Sequence, residues 1–232
     1  HRNAHYLLNI RPAGEWPAEY FYYAGGVPRI MEEIKSMLHL HVMTVTGKTL
    51  GENLEDLKKN GYYDRCDEHL QKTGLKRTDI IRNFDEPIGK NGAIAVLKGN
   101  LAPQGSVVKH SAVPKEMHSA VLKARPFDCE EDAISAILSH KIQPGDAVII
   151  RYEGPKGSGM PEMFYTTEAI SSDPELSASI ALLTDGRFSG ASKGPAIGHI
   201  SPEAAAGGPI ALVEENDLIE IDIPKRVLRI CG

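Results

Sequence analysis

The sequence predicts an α/β protein in which a strand-rich, barrel-like or sandwiched sheet follows a shorter helix-and-strand segment. Two observations support this fold class. From about residue 79 onward, seven short apolar runs predict strands and one clear helix lies between them. Before that point, apolar residues recur mainly at helical spacing. We expect a domain boundary near residue 78, with residues 1–78 and 79–232 in separate domains.

The first of these domains is expected to contain two helices and one strand. Residues 25–28 (Gly-Gly-Val-Pro) precede a helix, because the apolar residues within 30–38 recur at helical spacing. Residues 42–46 are short and β-branched and predict a strand. Residues 50–59 predict a helix that ends before an Asn-Gly pair. Residues 61–90 are polar and weakly periodic.

The second domain is expected to be built mostly from strands. They are predicted at 93–97, 106–109, 147–152, 180–183, 210–213, 218–223 and 227–230. One helix is expected to follow Asp128 as its N-cap, with Glu131 at its third position. Ser201 is expected to cap another helix, with Pro202 in the first helical position.

Composition and charge exclude several classes of function. The net charge of -5 provides no basic excess to neutralise the phosphates of a nucleic acid. No apolar run approaches the roughly 18–20 residues that a membrane span needs, so neither nucleic acid nor membrane is expected as a partner. The three widely spaced cysteines predict reduced thiols in a cytoplasmic protein. Phosphate-loop, dinucleotide-binding and serine-hydrolase motifs do not occur.

Two glycine-rich loops follow buried strands and are the strongest candidates for a functional site. The loop 151–163 contains Glu153 and Glu162, whose carboxylates are suited to binding Mg²⁺ or to acid–base chemistry. The alternative is that both are solvated loop residues without a chemical role. The loop 184–194 contains Ser189 between glycine-rich turns, with Arg187 and Lys193 nearby.

A serine hydroxyl is a useful base only where cations or backbone N–H groups stabilise its anion. A nest that binds an anion without catalysis is an equally physical reading of the same loop. Both readings predict a small anionic ligand near residues 185–194, whereas a third reading assigns the glycines only to a tight turn. His199, which follows closely, is either a proton shuttle or a structural histidine.

Several segments together resemble the C-terminal part of the dihydroxy-acid and phosphogluconate dehydratase (IlvD/Edd) family. They lie in the family's order over nearly the whole chain: AGGVP (24–28), TVTG (44–47), KGNLAP (98–103), RYEGPKG (151–157), GMPEM (159–163), TDGRFSG (184–190) and GHISPEA (198–204). Within the family, the sequence of these segments is most similar to that of the sugar-acid branch, which acts on D-xylonate.

The resemblance implies a fold and a reaction. Residues 79–232 would form a swivelling β/β/α, barrel-like domain, and residues 1–78 the tail of the α/β N-terminal, cluster-bearing domain. Such enzymes are hydro-lyases, so the full-length protein would dehydrate a sugar acid such as D-xylonate to a 2-keto-3-deoxy acid. Branched-chain dihydroxy-acid dehydration and a non-enzymatic module that binds organic acids remain the alternatives. A homo-oligomer is expected for the full-length protein.

The resemblance also implies cofactors and residue roles. The family uses an iron–sulfur cluster and Mg²⁺; here Ser189 would be the catalytic base and Glu162 one Mg²⁺ ligand. Arg187, Ser192 and Lys193 would contact the substrate. Sugar-acid members often have threonine two residues after the base, whereas this chain has Ala191 there and Ser192 next. The chain begins at His1 without Met, so we expect a piece of a longer polypeptide that lacks the cluster ligands and is inactive alone.

Overall fold

The computed structural model describes residues 3–190 and 192–231, and the chain divides between Gly92 and Ala93 into two compact units. Ala191, the residue at the position where sugar-acid members often have threonine, lies outside the described residues. The domain boundary near residue 78 stays a prediction. Within the described ranges, no helix is both long enough and apolar enough to cross a membrane.

The first unit is helical. Its α-helices are α1 (Ala18–Tyr23), α2 (Gly26–Glu33), α3 (Leu50–Lys59), α4 (Tyr62–Gln71) and α5 (Arg77–Ile80), and a 3₁₀ turn covers Lys35–Met37. The helices predicted after residue 25 and over 50–59 are confirmed. Thr49 begins α3 with a capping box, in which its hydroxyl accepts a hydrogen bond from the Glu52 amide.

The strand predicted over 42–46 is wrong. The Thr44 amide donates to the Lys48 carbonyl at 2.9 Å, so the chain forms a turn here. Val45 is fully exposed to solvent, and a single bridge joins Met43 to Thr49. β-branched residues favour a strand only where a neighbouring strand pairs with them and their side chains pack.

The second unit is an eight-stranded sheet with three α-helices in its described part. The strands are β1 (Ala95–Leu97), β2 (Gly105–Val108), β3 (Ser119–Phe127), β4 (Asp146–Ile150), β5 (Ala181–Thr184), β6 (Ala196–Ser201), β7 (Leu218–Asp222) and β8 (Val227–Cys231). The α-helices are α6 (Glu130–Leu138), α7 (Phe164–Ser171) and α8 (Pro174–Ser179). Short 3₁₀ turns cover His110–Ala112, Lys115–Met117, Ala204–Ala206 and Pro209–Leu212.

The strand order is β1-β2-β6-β5-β4-β3-β7-β8, and the four central strands β3 to β6 run parallel to one another. The outer pairs are antiparallel. Lys98 then joins the two ends of the sheet, because its amide donates to Arg226 and its carbonyl accepts from Leu228, each at 2.9 Å. The sheet is therefore a nearly closed barrel, which confirms the barrel-like α/β prediction.

β4 and β5 are buried on both faces, because each face is covered. All five residues of β4 are buried. Ile149 on β4 and Leu183 on β5 face the barrel interior, whereas Val148 and Leu182 pack with the buried residues of α6 and α8. Parallel strands with two covered faces give continuous apolar runs, which is why the sequence predicted both strands correctly.

Other expectations for this unit need correction. Residues 210–213 form a 3₁₀ turn and not a strand, since Ile210 and Val213 are buried three residues apart while Leu212 is 77% exposed. Ser201 ends β6 and caps no helix. The helix predicted after Asp128 exists as α6, but its N-cap is Cys129, and Asp128 pairs with Arg151 instead. β3, β6, α7 and α8 were not predicted.

Substituting Gly99 by Ala tests the closure of the barrel. A Cβ at this position would lie 2.0 Å from the Leu228 carbonyl oxygen, so the backbone next to Lys98 has to move away from β8. We expect a loss of about 1–3 kcal/mol in unfolding free energy, as for other overpacked sites, measured by chemical denaturation. Gly89→Ala is the control, because its Cβ would meet nothing closer than 3.7 Å. Equal stability of both variants would contradict the closure.

Candidate active site

The two glycine-rich loops lie side by side. β4 and β5 are parallel neighbours with Ile150 opposite Thr184, so the segments that follow them leave the sheet at the same edge. Ligands bind at the carboxyl ends of parallel strands in open α/β sheets, and this edge is the corresponding location here. The two segments touch directly through a bridge between Glu162 and Arg187.

Asp185 connects three loops at this edge. Its carboxylate is 2% exposed and accepts hydrogen bonds from the amides of Tyr152 at 3.2 Å, Glu153 at 3.0 Å and Ala204 at 2.8 Å. The first two amides follow β4 and the third follows β6. A buried carboxylate is stable only when such donors replace water. Asp185 therefore has a structural role, as it fixes the loop that contains Ser189.

Two further buried carboxylates, those of Glu153 and Glu203, also accept hydrogen bonds from backbone amides and are not available to a ligand. Glu153 accepts from the Glu130 amide and the Ser158 hydroxyl, and it is 6% exposed. Glu203 accepts from the Lys156 amide with both oxygens, at 2.9 and 3.0 Å. Gly154 permits this approach, because a Cβ there would lie 1.9 Å from a Glu203 oxygen. Among the acidic groups of the loop 151–163, Glu162 is therefore the one with an accessible carboxylate.

Glu162 and Arg187 form a loose, solvent-exposed pair. The Arg187 Nη1 atom lies 3.7 Å from Glu162 Oε2, and both side chains are more than two-fifths exposed. The Arg187 Nε atom donates to the Met160 carbonyl at 3.0 Å, and the Met163 amide donates to the Arg187 carbonyl. An exposed pair of this length contributes little stability, so a cation could displace the guanidinium from the carboxylate at small cost.

Ser189 lies in a pocket of about 160 Å³ between the loop and strands β2 and β6. Lys109 and His199 are the ionisable residues that line it, and Phe188 and Ser192 contribute to its wall. Lys109 follows β2, and its Nζ atom donates to the Gly190 carbonyl at 2.6 Å. Burial lowers the pKa of the Lys109 ammonium.

Ser192 shares this pocket, whereas Lys193 does not. The Ser192 side chain is 9% exposed, and its hydroxyl has no hydrogen-bond partner among the described residues. Lys193 lines a separate small pocket with Thr167 and Ile170. Of the residues expected at the site, the structure brings Ser189 and Ser192 together, pairs Glu162 with Arg187, and places Lys193 elsewhere.

His199 occupies an irregular position on β6. The register between β2 and β6 shifts by one residue between Gly198 and Ser201, which is typical of a bulge. His199 itself has a positive φ of 55°, and its exposed side chain lines both the Ser189 pocket and a larger open cleft of about 600 Å³ beside Pro202. Bulges re-aim side chains near functional sites, so this geometry keeps the proton-shuttle reading open.

The described residues do not by themselves fit a complete metal or cluster site. No group of three His, Cys, Asp or Glu side chains in residues 3–190 and 192–231 is arranged to hold a metal ion. The three cysteines are free and half-buried: Cys66 lies on α4, Cys129 directly precedes α6, and Cys231 lies on β8. Among the described residues of the two glycine-rich loops, Glu162 offers an exposed carboxylate to a cation.

Lys109 is the site residue that sequence reasoning missed. It lies 81 residues before Gly190 in the chain, and only the pairing of β2 with β6 brings it to the loop. Its one sequence signal is its place at the end of a predicted strand, which is shared with many lysines. Long-range pairing between strands does not follow from local patterns.

Comparison with known proteins places the whole chain in one group. Residues 79–231 match the family described as Dihydroxy-acid/6-phosphogluconate dehydratase C-terminal, and residues 1–53 match its N-terminal counterpart. A dihydroxy-acid dehydratase of Methanosarcina barkeri is 50% identical over 230 residues, covering 99% of this chain and 39% of that protein.

Two bacterial relatives give the same result. The dihydroxy-acid dehydratase of Agathobacter rectalis is 52% identical over 228 residues, covering 97% of this chain and 38% of that protein. That of Acetivibrio thermocellus is 50% identical over 221 residues, covering 94% and 37%. The chain thus spans about two fifths of the length of these curated relatives.

Proposed function

The chain belongs to the dihydroxy-acid/6-phosphogluconate dehydratase family, and on this premise we propose that the full-length protein is a dihydroxy-acid dehydratase. It would remove water from a 2,3-dihydroxy acid such as dihydroxyisovalerate and release a 2-keto acid. The observation that carries the proposal is the roughly 50% identity, over nearly the whole chain, to relatives of that name.

The expectation of a sugar-acid dehydratase, and with it the D-xylonate branch, is wrong. The relatives that match almost the entire chain are named dihydroxy-acid dehydratases. The residue after Gly190 agrees with this correction, because the threonine that sugar-acid members often have there is replaced by Ala191. The alternative stated for a branched-chain dihydroxy acid is the better reading.

In the proposed reaction, Ser189 removes the proton from C2 of the substrate. The hydroxyl leaves C3, and the resulting enol becomes the keto acid by moving a proton to C3. The geometry supports this role, since Ser189 lies in a pocket with two ionisable neighbours, Lys109 and His199. The unpartnered Ser192 hydroxyl is positioned to bind an oxygen of the substrate in the same pocket.

Arg187 and Glu162 would act at the rim of this site. Glu162 is proposed as one ligand of a Mg²⁺ ion, together with ligands from outside this chain. When bound, the ion would hold the substrate carboxylate and make the C2 proton more acidic. Arg187 would then be free to contact the acid substrate. Lys193 remains a proposed contact, although it lines a separate pocket. The described cysteines lie in separate parts of the chain and do not fit the family's iron–sulfur cluster.

The proposal is tested with the full-length protein, reconstituted with iron, sulfide and Mg²⁺. We expect 2-keto acid to form from 2,3-dihydroxyisovalerate with a kcat/KM well above that for D-xylonate. A reversed preference would contradict the substrate assignment. No turnover of either acid by a preparation with an intact cluster would contradict the reaction itself.

Substituting Glu162 by Gln tests the metal role. The variant loses the charge that attracts a cation, so the Mg²⁺ concentration for half-maximal activity should rise by at least about tenfold, the lower range for changes around metal ligands. Direct Mg²⁺ binding, measured by calorimetry on the full-length protein, should weaken in parallel. Glu168→Gln is the matched control, because it removes the same charge from an exposed position on α7. Equal Mg²⁺ dependence of both variants would remove Glu162 from the metal site.

A further inference from the structure

The position of Lys109 is not explained by packing or by pairing with an acidic group. Its ammonium is half-buried, and within the described residues it forms no ion pair with a carboxylate. Its hydrogen bond goes to the carbonyl of Gly190, the residue directly after Ser189. Since no carboxylate pairs with it, its positive charge acts on the other groups that line the pocket.

The other cations of the loop are directed elsewhere. Arg187 contacts Glu162 and the Met160 carbonyl, and Lys193 lines the separate pocket beside Thr167. The acidic residue of the loop, Asp185, is held by three backbone amides. Of the described residues that line the Ser189 pocket, His199 from β6 has the other ionisable side chain. Among the described residues that line this pocket, Lys109 is therefore the one with an ammonium group.

The surroundings of Lys109 increase the reach of its charge. Burial lowers the pKa of its ammonium, because the group is partly removed from water. Where water is scarce, the effective dielectric constant is lower and a charge acts more strongly on its neighbours. The pocket holds a second sign of a ligand in the buried, unpartnered hydroxyl of Ser192.

We propose that Lys109 is a positioning residue for Ser189. Its ammonium holds the Gly190 carbonyl and so fixes the turn that carries the serine, and its positive charge favours the anionic form of the serine. This inference rests on the proposed function. Before turnover the Ser189 hydroxyl gives its proton to water, and the anion then takes the proton from C2. Lys109 itself transfers no proton and forms no bond to the substrate.

The test is the pH dependence of kcat/KM in the full-length, reconstituted enzyme. Activity rises with pH as the base loses its proton. In Lys109→Met this rise should move to higher pH by about one to two units, the size of effect that a nearby opposite charge produces. At neutral pH kcat should fall correspondingly, by about 10- to 100-fold. KM should change little, because the charge acts on Ser189 and not on the substrate.

Three further variants make the result decisive. Lys109→Arg keeps the charge and should keep the rise near its wild-type pH. Lys115→Met removes an exposed lysine from the nearby 3₁₀ turn and should change nothing. His199→Gln tests whether the rise of kcat/KM with pH is caused by ionisation of the histidine. We expect the rise to persist in this variant. If the methionine variant is too unstable to assay, the arginine variant decides, since a shift there of a full unit would overturn the proposal.

Two outcomes would overturn the inference while leaving the proposed function intact. One is a wild-type enzyme that turns over dihydroxyisovalerate while Lys109→Met shows an unmoved pH profile. The other is a raised KM with unchanged kcat, which would make Lys109 a contact for the substrate carboxylate. If the wild-type enzyme with an intact cluster turns over no dihydroxy acid, the proposed function fails, and this inference fails with it.

Discussion

Replacing Ser189 with alanine in the full-length, reconstituted enzyme is expected to lower kcat by about 10²- to 10⁴-fold, the usual contribution of a general base. The variant retains the pocket, because Ser189 is only partly buried and its main-chain carbonyl still accepts from the Ser192 amide at 3.1 Å. Substrate binding should therefore survive, with KM changed far less than kcat. Steady-state formation of the 2-keto acid measures both constants.

Two controls separate chemistry from loss of structure. Ser139→Ala removes an exposed hydroxyl at the end of α6, where it donates to the Ser135 carbonyl, and should leave kcat unchanged. The iron and sulfide content of Ser189→Ala should equal that of the wild type. A kcat within a few-fold of wild type in Ser189→Ala would mean that another group removes the C2 proton, and the mechanism proposed above would be wrong.

Replacing Asp185 with alanine is expected to cause the largest loss of stability from a single polar substitution in the second unit. The buried amides of Glu153 and Ala204 and the partly buried amide of Tyr152 would lose their acceptor together. An unsatisfied buried donor costs about 1–3 kcal/mol, so the unfolding free energy should fall by about 3 kcal/mol or more. Urea denaturation of the chain, followed by circular dichroism, measures the change.

Asp185→Asn and Asp173→Ala complete this test. Asparagine restores one acceptor oxygen but directs an amide group at a backbone N–H, so its stability should lie between wild type and alanine. Asp173 also accepts from two amides, as the N-cap of α8, but it does so at the surface. Its removal should cost about 1 kcal/mol. An equal loss of unfolding free energy in Asp185→Ala and Asp173→Ala would contradict the claim that the buried hydrogen bonds of Asp185 stabilise the three loops.

The elements that the sequence predicted correctly are those whose local pattern matches their final surroundings. β4 and β5 are continuous apolar runs because both of their faces are covered, and α3 has both its cap and its apolar stripe. β3 was missed because exposed Ser119 and Lys123 interrupt its apolar residues, and β6 because Gly198 and His199 interrupt it. For these strands, pairing with neighbours outweighs local propensity.

The candidate site shows the same division between local and long-range information. Ser189, Glu162 and Arg187 stand out because glycines surround them in loops that follow strands. The residue pattern of the loop did not distinguish Glu153 from Glu162, and Glu162 was selected only through the family resemblance. The Glu153 carboxylate accepts from the Glu130 amide, which lies 23 residues earlier in the chain, and a contact of this range does not follow from the local pattern. It assigned positive charge to Arg187 and Lys193, whereas the fold brings Lys109 to the Ser189 pocket.

The contact of Lys98 with β8 has a consequence for association between chains. A sheet that ends in an open strand presents a row of unpaired amides and carbonyls, to which a strand of another molecule can add. Here the residue after β1 bonds to Arg226 and Leu228, so the two terminal strands of the sheet occupy part of each other's edge. Self-recognition by strand addition is blocked at this seam. An assembly of copies through this unit would have to use side chains and helices there, which leaves its specificity to surface residues.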